Sequence, residues 1–144
     1  MKYLLKMTLG VLLIILLAAC APTPAADGDL GRPVAVDGGL YTDVSPTELQ
    51  QMLEAKDFVF VNVHIPYEGD IPGTDLSIPF NEIEDNLTQL PRNPDEKIVL
   101  YCRSDRMSRI AAETLIGLGY TNVWNLDGGF NAWRSAGLPF EGGE

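Results

Sequence analysis

Two almost wholly apolar runs constrain the fold of this 144-residue chain more than any other feature. Residues 58–63 read Phe-Val-Phe-Val-Asn-Val and residues 98–101 read Ile-Val-Leu-Tyr, without the alternation of a half-exposed strand. Such runs are typical of strands buried on both faces, which occur in parallel sheets covered by helices. Helical patterns alternate with strands across short loops. We therefore predict an α/β fold of three layers, with a central parallel sheet of about five strands and helices on both faces.

Weaker patterns complete the order of elements. The segment Ser45-Pro46-Thr47-Glu48 is a capping box with proline at the first helical position. A later helix begins near Ser108, is expected to turn Ile110 and Leu118 toward the core, and ends at Gly119. The predicted helices span residues 46–55, 108–118 and 130–136 with a further one inside 81–90, and the additional strands span 77–79 and 122–126.

Cys102 lies where the second apolar run turns into the helix that begins near Ser108. In parallel sheets the chemistry lies beyond the carboxyl ends of the strands, and N–H groups at a helix start favour a thiolate or a bound anion. Arg103, Arg106 and Arg109 add positive charge nearby. The pattern predicts a nucleophilic cysteine in an anion-binding loop. The alternative is a buried, inert cysteine that packs as a small hydrophobe. The loop residues are Arg103, Ser104, Asp105, Arg106, Met107 and Ser108.

The N-terminal residues predict export. Residues 1–19 combine a basic start with an apolar stretch that is short for a transmembrane helix, and Leu17-Ala18-Ala19-Cys20 ends it with small residues. This ending resembles the lipobox of bacterial lipoproteins, which implies cleavage before Cys20, a lipid on its sulfur and anchoring to the outer face of a cell membrane or outer membrane. The alternative is an ordinary secretory signal with an incidental Cys20. Residues 20–39 read as a flexible tether, which leaves a domain at 40–144.

The net charge and the few cysteine and histidine residues argue against several kinds of partner and site. The chain has 20 Asp and Glu against 10 Lys and Arg, a net charge of −10 that argues against a nucleic-acid partner. With Cys20 lipidated, Cys102 is the only free thiol, so no intramolecular disulfide can form. One histidine and no cysteine cluster leave no set of metal ligands to expect.

Two segments resemble the single-domain, rhodanese-like sulfurtransferases. They are the strand–Cys-Arg-Ser–helix unit at residues 98–118 and the tail Leu126-Asp127-Gly128-Gly129-Phe130-Asn131-Ala132-Trp133, within a match over residues 43–140. In the tail, glycines permit the turn, and Phe130 and Trp133 supply a packing face rather than catalysis.

The resemblance implies a reaction. Cys102 takes a sulfane sulfur from a small donor such as thiosulfate or a persulfide, becomes a persulfide itself, and passes the sulfur to a thiol-type acceptor. No metal or organic cofactor is implied. One alternative is a catalytically weak binding or redox-sensing module. The other is a phosphatase of the same fold, but such phosphatases place an arginine six residues after the cysteine, where this chain has Ser108.

The chain departs from the family pattern at three places. The family loop commonly reads Cys-Arg-Ser-Gly-x-Arg-Ser, whereas Asp105 and Met107 stand at its glycine and second arginine positions. Asn62-Val63-His64 stands where the family usually has Asp-x-Arg, and residues 65–74 are compressed, so the rim of the site should be reshaped. One hypothesis is that Asp105 opposes anionic donors. The alternative is that its side chain caps the helix and points away from the sulfur.

Several roles stay open at the level of sequence. His64 ends a neighbouring strand, so it either approaches the Cys102 thiolate or forms a hydrogen bond with the loop that follows it. Arg103 either steers an anionic donor or is solvated, and Arg106 is equally suited to the loop or the surface. Ser104 and Ser108 either cap the helix or line the loop.

Overall fold

A six-stranded sheet organises residues 30–142, the part of the chain that the computed structural model describes. Its spatial order is 1-2-6-5-3-4; the first pair is antiparallel and the others are parallel. In chain order the elements are β1 (Arg32–Val36), β2 (Gly39–Val44), α1 (Pro46–Glu54), β3 (Val59–Asn62), β4 (Leu76–Ser77), β5 (Ile98–Tyr101), α2 (Arg106–Gly117), β6 (Val123–Leu126) and α3 (Gly129–Ser135). The predicted α/β class, with the two apolar runs as adjacent central strands, is confirmed.

The parallel register brings the candidate site residues to one edge of the sheet. Asn62 pairs with Tyr101 across β3 and β5. His64 and Cys102 therefore follow neighbouring strands at their carboxyl ends. On its other side β5 pairs with β6, whose carboxyl end leads into α3. Loops from three strands thus converge around Cys102.

The continuous apolar runs supply both faces of the core, as strands covered on both sides must. Val61 and Leu100 pack with α2 on one face, and Phe60 and Tyr101 pack with α1 and α3 on the other. All four of these strand residues are fully buried. Phe130 and Trp133 of α3 join the second face, which confirms their predicted packing role.

The predicted tether is wrong over its last residues. Residues 32–36 form β1, which turns at Gly38 and pairs antiparallel with β2. Val34 and Val36 pack against the core while the residues between and before them face solvent. Only two apolar side chains show this alternation. The glycine, proline and aspartate residues around them are typical of a loop, so the sequence pattern does not indicate a strand. Together with β2, which is also absent from the four strands predicted individually, β1 makes the sheet six-stranded rather than about five.

Two other expectations are corrected. The segment predicted to contain a helix within 81–90 folds as two 3₁₀ segments, Phe80–Glu82 and Glu84–Gln89, and the second is interrupted by non-helical backbone at Asn86. α2 begins at Arg106, two residues earlier than expected, and its buried face excludes Ile110. Ile110 is exposed, as is Leu118 beyond the helix end.

The predicted signal and lipid attachment fall outside the described residues. Cys20 and residues 1–19 precede the part of the chain that is described, as does most of the predicted tether. Within residues 30–142, no helix has the length and apolar character required to cross a membrane.

The start of α1 confirms the capping box and links it to the N-terminal strand. The Ser45 hydroxyl accepts from the Glu48 N–H at 3.3 Å, and the Glu48 carboxylate accepts from the Ser45 N–H at 2.8 Å. The same carboxylate accepts from the Gly31 N–H at 3.0 Å. One side chain therefore secures the start of α1 and the residue that leads into β1.

We expect Glu48→Gln to destabilise the domain in a pH-dependent way. The N–H groups of Ser45 and Gly31, and the Ser45 hydroxyl, hold the pKa of Glu48 below its ordinary 4.5. A lowered carboxyl pKa adds stability above the unfolded value, and that stability is lost as the pH falls through the folded value. The variant should lose about 0.5–1 kcal/mol near pH 7 and almost nothing near pH 3, by urea unfolding.

Glu54→Gln, at the exposed C-terminal end of the same helix, is the matched control. It removes the same charge without touching the cap. A loss of unfolding free energy in Glu48→Gln that is equal at both pH values would contradict the capping role assigned to the Glu48 carboxylate.

Candidate active site

Cys102 lies directly beyond the carboxyl end of β5, at the position that the sequence predicts. Its side chain is 2% exposed, and it borders a cavity of about 260 Å³. The cavity is lined by His64, Cys102, Arg103, Ser104, Arg106 and Met107. The structure therefore brings together most of the predicted loop residues and His64. Among the described residues, Cys102 is the free cysteine.

The first turn of α2 faces the loop with its N–H groups uncapped. Asp105 occupies the N-cap position, but its side chain makes no capping hydrogen bond. The first intrahelical bond runs from the Arg109 N–H to the Asp105 carbonyl at 2.9 Å. The N–H groups of Arg106, Met107 and Ser108 thus have no partner within the helix. A helix start in this state attracts anions.

Ser108 supplies the hydrogen bond that reaches the sulfur. It is fully buried, and its hydroxyl lies 3.4 Å from Sγ of Cys102 and 3.0 Å from the carbonyl oxygen of Asp105. A hydroxyl carries one proton, so it donates to either the sulfur or the carbonyl. When the sulfur becomes negatively charged, donation to the sulfur is favoured. Of the two sequence roles, capping or lining, Ser108 takes the second.

Asp105 turns its carboxylate away from the sulfur. Its Oδ1 accepts from the Gly128 N–H at 2.8 Å and from Nδ2 of Asn125 at 3.3 Å. Arg109, rather than Arg103 or Arg106, is the cation nearby, at 3.9 Å. Asp105 also has a φ of 89°, the conformation that the family glycine adopts freely. This orientation matches the alternative in which the side chain points away from the sulfur, although the side chain does not cap the helix. It does not support the hypothesis that Asp105 opposes anionic donors.

Asn62 organises the compressed loop that follows β3. Its Nδ2 donates to the carbonyl of Gly69 and to Oδ1 of Asp70, both at 2.9 Å, and its Oδ1 accepts from the His64 N–H at 3.0 Å. These three bonds use a fully buried amide. The residue at the family Asp position therefore binds the loop backbone and the Asp70 carboxylate rather than forming an ion pair.

Sequence reasoning missed Glu68, which links two of the cavity residues. Its Oε1 accepts from Nε2 of His64 at 3.1 Å and from Nη1 of Arg103 at 3.2 Å. His64 thus bonds the loop that follows it, which was one of its two predicted roles, while its ring also borders the cavity of Cys102. The available signal was the carboxylate four residues after the only histidine, inside the segment predicted to reshape the rim.

The contact with Glu68 assigns the tautomer of a neutral His64 ring. The hydrogen bond from His64, and after it the charge of Arg103, holds the pKa of Glu68 below its ordinary value, so the carboxylate is ionised and can only accept. The proton of a neutral His64 ring therefore lies on Nε2. Nδ1 is then a lone-pair acceptor, and it is buried without a hydrogen-bond partner in the described structure.

The three arginines near Cys102 have different positions. Arg103 is 55% exposed and pairs with Glu68. Arg106 is exposed and borders the cavity. Arg109 faces away from it and approaches Asp105, Asp127 and Asp43 between 3.4 and 3.9 Å. Arg103 and Arg106 are thus the cations that an incoming ligand meets.

The turn between β6 and α3 holds the loop from the opposite side. The Phe130 N–H donates to the carbonyl of Cys102 at 2.9 Å, and the Asn131 N–H donates to the carbonyl of Arg103 at 3.1 Å. Gly129, at a φ of 57°, lies so close that a Cβ would meet the Cys102 carbonyl oxygen and come 2.6 Å from the Arg103 carbonyl carbon. The glycines of the tail therefore serve the cysteine loop as well as the turn.

Metal chemistry has no candidate here: within residues 30–142, no cluster of three or more His, Cys, Asp or Glu side chains could hold a metal ion.

Comparisons with known proteins agree on one family. The model of the rhodanese-like domain matches residues 45–136. A sulfurtransferase of Allochromatium vinosum is 36% identical over 93 residues, covering 62% of this chain and 84% of that protein. An uncharacterised Synechocystis protein is 34% identical over 98 residues, which are 67% of this chain and only 54% of the relative.

A solved structure is also similar to this chain. It is a Rhodopseudomonas palustris protein of unknown function, described as a possible tyrosine phosphatase. It is 32% identical, with a TM-score of 0.58, and the match covers 67% of this chain and 82% of that one.

Gly129→Ala should disrupt the cysteine loop, whereas Gly137→Ala should not. Both glycines have positive φ, but a Cβ at Gly137 meets nothing within 4 Å. The left-handed backbone alone costs about 1–2 kcal/mol, and the clash at Gly129 should add roughly 2 kcal/mol more. Urea unfolding measures both costs, and the alkylation rate of Cys102 reports the loop. Equal costs and equal alkylation rates in the two variants would contradict the role assigned to Gly129.

Proposed function

The chain belongs to the rhodanese-like domain family, and on that premise we propose that it is a sulfurtransferase or persulfide carrier acting through Cys102. One observation carries the proposal: the thiol of Cys102 borders a cavity at the uncapped start of α2, with Arg103 and Arg106 on the same wall. This arrangement suits a sulfur nucleophile whose reactants and intermediate are anions. The relative from Allochromatium vinosum carries the name sulfurtransferase, which supports the same reading.

The first step loads the cysteine. With thiosulfate as donor, the Cys102 thiolate attacks the outer sulfur, the sulfur–sulfur bond of the donor breaks, and the electron pair leaves with sulfite. The product is a cysteine persulfide anion. The free N–H groups of the first α2 turn and the hydroxyl of Ser108 are positioned to stabilise that charge.

The second step releases the sulfur. An acceptor thiolate attacks the outer sulfur of the persulfide, and the bond to Sγ of Cys102 breaks with its electron pair on Sγ. The acceptor leaves as a persulfide, and the cysteine thiolate is regenerated. The two displacements balance without an oxidant or reductant and predict ping-pong kinetics.

The phosphatase alternative is weak on geometry. Six residues after the cysteine the chain has Ser108, whose hydroxyl lies against the sulfur and is fully buried. A guanidinium that would clamp phosphate is therefore missing at that position. The binding or redox-sensing alternative makes a different prediction in the experiment below.

We also propose that the protein is exported and held by a lipid on Cys20 at the outer face of a bacterial membrane. The support is the Leu17-Ala18-Ala19-Cys20 ending after an apolar stretch. A donor and an acceptor outside the cytoplasm follow from that location.

Sulfur loading tests the activity. Incubation of the purified protein with thiosulfate should add one sulfur atom per chain by intact mass, and Cys102→Ser should remove the gain. A cyanide or thiol acceptor should then restore the original mass. Absence of an adduct with both thiosulfate and a small persulfide would refute the proposal. A peroxide-dependent sulfenic adduct without sulfur loading would favour redox sensing instead.

Lipid labelling tests the location. Expression in a bacterium supplied with radiolabelled palmitate should label the protein and place it in the membrane fraction. Cys20→Ser should lose both the label and the membrane association, whereas Cys102→Ser should retain them. Release of the parent protein without label would mean that Cys20 follows an ordinary secretory signal.

A further inference from the structure

A carboxylate of the protein itself stands at the rim where an anionic donor would enter. Oε1 of Glu68 lies 3.2 Å from Nη1 of Arg103 and 3.1 Å from Nε2 of His64. Arg103 and His64 both line the cavity that contains Cys102. Two of the cavity residues suited to receive an anion therefore already hold one, and Arg106 is the remaining arginine of the lining.

We propose that Glu68 sets the donor class of the site: it disfavours doubly charged donors such as thiosulfate and favours a persulfide that carries at most one negative charge. The inference rests on the sulfurtransferase proposal and specifies its donor. A dianion must either displace Glu68 from Arg103 or bind where Glu68 already neutralises the charge of that guanidinium, which leaves Arg106 as the other lining arginine. Each route weakens its binding relative to that of a less charged donor.

Other carboxylates near the cysteine are engaged elsewhere. Asp105 binds the Gly128 N–H and Asn125, and its carboxylate faces Arg109 on the far side of the loop. It does not line the cavity. Glu68 does not line the cavity either, but it contacts His64 and Arg103, which do, so its charge is the one that acts on the entrance.

Glu68 keeps its charge under ordinary conditions. The hydrogen bond from His64 lowers its pKa most, and the charge and hydrogen bond of Arg103 lower it further. Its side chain is 36% exposed, so it remains at the rim rather than in the core. Its field is consequently felt by an approaching solute and is screened by salt.

A pair of alkylating reagents isolates this charge effect from sulfur transfer. Iodoacetate and iodoacetamide both lose iodide to an attacking thiolate and differ by one negative charge. The ratio of their rate constants at Cys102 therefore measures discrimination against an anion. Following the mass of the peptide that contains Cys102 keeps Cys20 out of the measurement in the full chain.

Glu68→Gln removes the charge and keeps an oxygen that can accept from Arg103 and His64. The iodoacetate-to-iodoacetamide ratio should rise about threefold to tenfold at low ionic strength, and the gain should shrink as salt is added. Glu54→Gln is the matched control, since Glu54 ends α1 before β3 begins, at the opposite edge of the sheet from Cys102. Its ratio should equal that of the parent.

Three results would overturn the inference. The first is an unchanged ratio in Glu68→Gln. The second is equal acceleration by both reagents, which would mean that Glu68 orients His64 or obstructs access rather than repelling charge. The third is failure of both reagents to reach Cys102 in the parent and the variant, because the donor would then be selected by steric closure.

Sulfur loading separates this inference from the proposed function. Glu68→Gln should load sulfur from thiosulfate about threefold to tenfold faster than the parent, with a smaller change for cysteine persulfide. If no donor loads any variant while the alkylation ratio rises, the sulfurtransferase proposal fails and charge selection at the site stands. If the parent loads sulfur and Glu68→Gln changes neither measurement, the role of Glu68 fails alone.

Discussion

The contact between the β6–α3 turn and the cysteine loop is the constraint on which the site depends. Two amides of α3 hold the carbonyls of Cys102 and Arg103, and Gly129 permits the approach because it has no Cβ. The Asp105 carboxylate binds the Gly128 N–H from the other direction. The loop is therefore tied to one turn at its start and at Asp105, and the N–H groups without a helical partner follow directly after it, at Arg106, Met107 and Ser108.

The position of Cys102 could be predicted from sequence because it follows from local rules. A run buried on both faces must be a central strand. A parallel strand that leads into a helix ends at the carboxyl edge of the sheet, and Cys102 directly follows such a strand. The packing of Phe130 and Trp133 follows in the same way from an amphipathic period. The pattern of the tail predicts only turn formation for its glycines. Their support of the cysteine loop depends on a contact across 27 residues, which the pattern does not indicate.

Three features that the sequence does not indicate or leaves open depend on distant partners. β1 carries too few apolar side chains to show a strand period, and it exists because β2 offers it an edge. The orientation of Asp105 depends on Gly128 and Asn125 of another strand end. Glu68 reaches Arg103 across 35 positions, at a point where the loop direction is set by the buried Asn62 amide. Sequence spacing carries no information on such pairs.

The three departures from the family pattern have one physical consequence. Asn62, in place of an acid, turns the loop after β3 so that Glu68 contacts His64 and Arg103. Asp105, in place of glycine, binds the Gly128 N–H and faces Arg109. The charge of Asp105 is thus paired with groups outside the cavity, whereas the charge of Glu68 lies at its entrance. A site with uncompensated arginines would attract the most highly charged anion available, whereas this one neutralises part of its positive field before any ligand arrives. Under the proposed function, binding then depends more on the backbone amides of α2, which favour the charge on the transferred sulfur over charge on the rest of the donor.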